Sequence, residues 1–381
     1  MPENSNFDFY NITQEVSGEE IPPEAPSQAE ENSSSDNSQF NNGYNQNINH
    51  TYVTYIPYGL TPETYEERKS IKKSATVVGL SFLSSHLIIL IVGFIIALGV
   101  QFLSFSIPQI ENLLTEPIFL HTQQILLSMF MFTVPFILIF KIAGYRISSL
   151  LEFKKPRKGL FLPFFLFGIG FCSFSNIAMG YASTFFEGIG IEYNVDFGEN
   201  PKGVFGFLIA LISTVIVPAL VEEFACRGLV LGALRKYGDG FAVMVSAILF
   251  GAMHGNFEQI PFAFLVGLVL GFVTVQSGSI RIAILIHAFN NFISLFFDYF
   301  LKDISIQLQN TIYALFICVS MVLAIFSIFL LKNKSEVFKF KEPKEKIHSK
   351  DKQLYKWFFT SAFIIIFLVV CFIDSCSFFF V

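Results

Sequence analysis

The sequence predicts an all-α, polytopic transmembrane helical bundle of about eight to nine spans. Three observations carry that prediction. Only 14% of the 381 residues are charged, against 53% hydrophobic and 17% aromatic, whereas an ordinary soluble domain is about 25% charged. Nine apolar stretches follow one another, most of them near the roughly 20 residues a helix needs to cross the bilayer core. Lys and Arg concentrate in alternate connecting loops, as cytoplasmic loops do. So few charges cannot cover so much apolar surface in water, but lipid accepts the 49 Phe directly once helices satisfy the backbone.

Residues 1–67 hold twelve Asp/Glu and no Lys/Arg, and 30–49 is a run of Asn, Ser, Gln and acids. Such a segment cannot bury enough apolar surface to offset its ordering entropy, so a disordered acidic cytoplasmic tail is expected there. The remaining chain holds 18 acids against 25 bases, so the net charge of -5 reflects the tail. No basic region leads into an apolar core at the N-terminus, and the first apolar stretch is expected to act as an uncleaved signal anchor. A membrane domain is expected over 74–381.

The expected spans are 76–105, 119–140, 160–182, 205–234, 241–256, 259–276, 280–299, 308–331 and 357–379. The fifth and sixth are short, consistent with a tilted, early-ending or tightly paired arrangement. Pro135, Pro163 and Pro218 are tolerated inside such helices. Arg68, Lys69, Lys72 and Lys73 precede the first span, Lys141 to Lys158 supply six bases after the second, Arg235 and Lys236 follow the fourth, and Arg281 lies between the sixth and seventh. Nine Lys fall in 332–356. The loops 106–118 and 183–204 are acidic instead. This alternation predicts a multi-pass protein of the cell membrane, N-terminus cytoplasmic and C-terminus outside.

Cys172, Cys226, Cys318, Cys371 and Cys376 show no zinc or redox spacing and read as small buried hydrophobes. No basic, aromatic-interleaved patch suggests nucleic acid. His86 and His121 read as packing or interfacial residues, Glu258 and Asp298 lie near span ends, and Asp374 has no evident role.

Ionisable groups within spans cost at least about 2.5–3.5 kcal/mol at a helix centre and mark function by default. Three sets occur. Glu222-Glu223-Phe224-Ala225-Cys226-Arg227 places Glu223 and Arg227 four apart on one helix face. Glu222 points about 100° away, so one carboxylate is neutralised and the other stays available. Phe250-Gly251-Ala252-Met253-His254 places Phe250 one turn before His254, and Gly251 and Gly255 permit close helix approach. His287-Ala288-Phe289-Asn290-Asn291 puts His287 and Asn291 on one face, where both can donate to one oxygen; Asn290 faces elsewhere. Glu222 and His254 each lie about 20 Å, and His287 and Asn291 about 10 and 16 Å, from their cytoplasmic ends, so the groups can meet in one layer. Each set alone also fits a structural cluster holding helices together.

Taken in order, EEFACR, FGAMH and HAFNN resemble the signature of the CPBP family, also called Abi or CAAX-protease-like membrane proteins, over roughly 200–300. The resemblance implies a glutamate-based intramembrane endopeptidase acting on a peptide or protein substrate. Glu222 would activate a water assisted by His254, His287 and Asn291 would stabilise the oxyanion, and Glu223, Arg227 and Phe250 would support the site. A divalent metal such as zinc is conceivable with two His and a Glu, but no HExxH helix is present and no metal is favoured. A non-catalytic membrane immunity or scaffold protein of the same family is the alternative. A transporter ranks last, since no internal repeat is evident.

Overall fold

The computed structural model describes residues 56–57, 59–104, 114–189, 199–341, 343 and 346–377. The expected tail lies outside the described residues over 1–55 and at 58. The chain divides into two units, Met1–Glu66 and Glu67–Val381. In the first, the described residues from Pro62 onward are helical.

Ten helices organise the described residues, with no strand longer than a single bridge residue among them. They are α1 (Pro62–Ser104), α2 (Pro117–Ile142), α3 (Phe161–Gly188), α4 (Gly203–Tyr237), α5 (Asp239–Ala252), α6 (Gln259–Ser277), α7 (Ile280–Leu301), α8 (Ile306–Leu331), α9 (Asp351–Phe359) and α10 (Ala362–Ser377). Short helical turns at Ile147–Leu150 and Lys332–Phe338 lie in the connections. Seven helices are long and apolar enough to cross a membrane, or eight if the bent pair α9–α10 counts as one. The protein is a multi-pass membrane protein.

Two expected spans differ from the prediction. The fifth is only a 14-residue helix, about 21 Å long, and ten of its residues are buried. It is a core helix wrapped by others, not a lipid-facing span. Gly255, at φ +57°, turns the chain just beyond it. The ninth is broken: α9 and α10 meet at 69°. Asp351, Lys352 and Lys356 on α9 keep one flank polar, while Leu354, Trp357 and Phe358 are buried, so the chain turns before entering the apolar run of α10.

α5 and α6 form the closest helix pair around the polar motifs. A Cβ on Gly267 would lie 3.0 Å from the Ala247 Cα, and one on Gly251 would lie 3.1 Å from the Ile260 carbonyl. Small residues therefore set the interhelical distance, as expected for Gly251. Gly255 instead serves the turn, with Asp374 3.2 Å from its hypothetical Cβ. A separate aromatic cluster joins α1, α2 and α10, where the Phe82 ring lies 5.1 Å from Phe136 and 4.8 Å from Phe367. Large apolar side chains such as Leu90, Phe94, Phe130, Leu315 and Phe329 are exposed, and a bilayer accounts for them.

Cys172, Cys226 and Cys371 are buried as expected, whereas Cys318 is exposed and Cys376 half-buried. Cys318 sits among the outward apolar residues of α8, where a thiol contacting lipid is as acceptable as one in a core.

Candidate active site

α4 is not uniformly α-helical. Leu211–Ile216 and Phe224–Val230 are π-helical, and an α-helical stretch, Val217–Glu223, lies between them. Such wide turns interrupt helices mainly at functional positions. Pro218 has no N–H to donate to the carbonyl of Thr214 four residues earlier. Asn291 on α7 approaches this break, and its Nδ2 donates to the Thr214 carbonyl at 3.0 Å. The broken ladder of α4 and the polar face of α7 are thus fitted to each other.

Farther along α4, Glu223 and Arg227 are both fully buried and lie 2.8 Å apart. The same carboxylate oxygen, Oε1, takes a second hydrogen bond from His287 Nδ1 at 3.0 Å. Arg227 also donates to the Gly267 carbonyl on α6 at 3.3 Å, and its guanidinium lies 4.1 Å above the Phe250 ring. A buried ion pair survives when each ion gathers such additional partners. Glu223 Oε2 and Arg227 Nε have no hydrogen-bond partner among the described residues.

Glu222 points away from this pair, as the helical angle predicts. Its side chain keeps 16% exposure, and its Oε2 lies 3.9 Å from His287 Nε2. His287 therefore stands between the two glutamates, one nitrogen toward each. The expectation that Glu222 remains outside the arginine pair is met by the geometry, but the joining of His287 to Glu223 was not foreseen.

His254 follows the last turn of α5. Its Nδ1 lies 2.7 Å from the Phe250 carbonyl. A carbonyl only accepts, so Nδ1 carries the hydrogen and Nε2 is left with its lone pair. The His254 ring is 5.1 Å and the His287 ring 5.9 Å from the Phe250 ring, both edge-on. Phe250 is thus the common neighbour of His254, His287 and Arg227. Among the described residues no direct hydrogen bond or ion pair joins His254 to Glu222.

Asn291 has one amide hydrogen on Thr214, and its Oδ1 receives Asn290 Nδ2 at 3.4 Å. Its second amide hydrogen remains for another acceptor. Among the described residues no group of three or more His, Cys, Asp or Glu side chains could hold a metal ion.

Sequence reasoning missed three polar contacts. His121 on α2 is buried with Nδ1 2.6 Å from Ser213 Oγ in the first π-helical stretch of α4. His86 on α1 lies 3.7 Å from Asp374 on α10, giving that acid a partner. Asn291 meets Thr214. Pro218 signalled the last contact, because a proline inside a membrane helix frees a carbonyl that something must satisfy.

Residues 204–293 match the family model described as type II CAAX prenyl endopeptidase Rce1-like. The matched segment runs from the start of α4 into α7 and contains all seven residues singled out above. No curated protein and no solved structure matches the chain.

Proposed function

We propose that the protein is an intramembrane endopeptidase that hydrolyses a peptide bond of a peptide or protein substrate, with Glu222 as general base. The observation that carries this reading is the placement of His287 between a buried, arginine-bound Glu223 and a partly exposed Glu222. One carboxylate holds the imidazole while the other faces the accessible side. The match to the endopeptidase family model supports the same reading.

In this mechanism Glu222 takes a proton from a water, and the hydroxide oxygen bonds to the substrate carbonyl carbon. The carbonyl π electrons move to oxygen. His287, held at Nδ1 by Glu223, and the second amide hydrogen of Asn291 stabilise that oxyanion. Protonated Glu222 then delivers its proton to the amide nitrogen, the C–N bond breaks, and an acid and an amine leave. His254 Nε2 orients the water as an acceptor. Arg227 and Phe250 keep Glu223 and both imidazoles in register. No step requires a metal.

The reading further assigns the protein to the cell membrane with a cytoplasmic N-terminus, supported by the alternate loops rich in Lys and Arg. A second reading, a non-catalytic immunity or scaffold protein, draws support from the bond between Asn291 and Thr214, which ties α7 to α4 irrespective of chemistry.

The deciding experiment reconstitutes the full chain in liposomes with a library of quenched fluorescent peptides. Cleavage by the parent protein that disappears in Glu222→Gln, with thermal unfolding unchanged, upholds the peptidase. Equal turnover by Glu222→Gln overturns Glu222 as the base. No cleavage by the parent favours the scaffold.

A further inference from the structure

A cavity of about 290 Å³ lies between α3, α7 and α8. Its lining includes Ser173 and Asn176 from α3, Asn290 and Ser294 from α7, and Asn310 and Tyr313 from α8, interspersed with Ile and Phe side chains. Among the described residues no Asp, Glu, Lys, Arg or His lines it. Three helices thus turn amides and hydroxyls toward one space, although polar groups facing lipid would be costly.

These groups are incompletely used by the protein. Asn176 Nδ2 donates to the Cys172 carbonyl and Asn290 Nδ2 contacts Asn291, which leaves both Oδ1 atoms as acceptors. Ser294 and Asn310 are exposed, and Tyr313 is half-buried. The Tyr313 ring is held edge-on to Phe297, 5.3 Å between centroids. The cavity therefore offers donors and acceptors in one neutral, partly apolar space. A polypeptide backbone has that chemistry: each amide brings one N–H and one C=O, with no charge.

The cavity also adjoins the candidate active site. Ile286, the residue before His287, is part of its wall, and so is Cys172. Asn290 in the cavity contacts the side chain of Asn291.

We propose that this cavity is a binding subsite for an uncharged stretch of substrate polypeptide, held on the flank of α7 next to His287. The assignment rests on the peptidase reading for the word substrate, but the binding itself does not need catalysis. Charged side chains are excluded, because the cavity supplies no counter-charge and desolvation would be uncompensated.

The test uses the full chain carrying Glu222→Gln in nanodiscs, and a pool of decapeptides bearing a neutral dye and lacking Asp, Glu, Lys, Arg and His. Fluorescence anisotropy is expected to report binding. Asn310→Leu combined with Tyr313→Phe should weaken it about tenfold, the loss expected for one or two hydrogen bonds. A matched pool with one Lys or Asp per peptide should bind at least about tenfold more weakly. Equal binding of the two pools, or unchanged binding by the double variant, overturns the subsite. If the double variant unfolds early, Tyr313→Phe alone, which keeps the ring against Phe297, is read in its place. Cleavage by the parent protein separates the two claims. Cleavage with binding indifferent to the cavity variants sinks the subsite and keeps the peptidase. Variant-sensitive binding without cleavage does the reverse.

Discussion

His287 Nδ1 lies 3.0 Å from Glu223 Oε1, the same oxygen that Arg227 Nη1 binds at 2.8 Å. Helix α7 is thereby joined to α4 through a carboxylate that is itself an ion-pair partner. The two adjacent glutamates consequently have separable duties, one structural and one exposed.

That separation predicts opposite outcomes for similar substitutions. Glu223→Gln leaves Arg227 buried without its counter-charge, a loss of about 3–5 kcal/mol. It should lower the thermal unfolding temperature in detergent markedly. Glu222→Gln removes a carboxylate with no arginine partner, so its stability should stay within about 0.5 kcal/mol of the parent while cleavage is lost.

The bond from Asn291 to Thr214 predicts a coupling with Pro218. Asn291→Leu should cost about 1–3 kcal/mol, because the Thr214 carbonyl then lacks its donor. Pro218→Ala supplies a backbone N–H four residues on, so the same Asn291→Leu change should cost less in that background. A double-mutant cycle on unfolding free energies measures the difference; strict additivity would show that the two residues do not serve one carbonyl.

Close packing of α5 on α6 predicts a size limit. Gly267→Ala would put a methyl 3.0 Å from the Ala247 Cα and 3.2 Å from its Cβ. Separating the helices should cost about 1–3 kcal/mol. A Cβ at Gly93, on the outward part of α1, would meet nothing within 4 Å. Gly93→Ala should therefore be neutral or stabilise by up to about 1 kcal/mol. Comparison of the two unfolding temperatures checks this.

Phe250 is expected to act as a positioning residue, since it touches His254, His287 and Arg227 but no reacting atom. Phe250→Leu retains much of the volume and loses the ring face beneath the guanidinium, worth about 1–2 kcal/mol where desolvated. Its kcat should fall with KM little changed, whereas Phe250→Tyr should retain more turnover if the hydroxyl is accommodated. A loss confined to KM would argue against positioning.

The sequence by itself determined that the chain is a helical membrane protein, because hydropathy and the sparsity of charge report directly on the surrounding solvent. It also singled out Glu222, Glu223, Arg227, Phe250, His254, His287 and Asn291 as candidates, since charged and polar residues inside apolar spans stand out against their background. Spacing of four correctly paired Glu223 with Arg227 and set Glu222 apart, as helical periodicity is local. Contacts between helices were decided only by the tertiary structure. Which nitrogen of His287 meets Glu223, how Asn291 finds the carbonyl opened by Pro218, and that Asp374 meets His86 depend on the rotation and offset of helices distant in sequence. The short, buried α5 and the 69° break before α10 belong to the same class. Hydrophobicity marks apolar residues without distinguishing lipid from protein as their neighbour, so only packing reveals which stretch spans and which is enclosed.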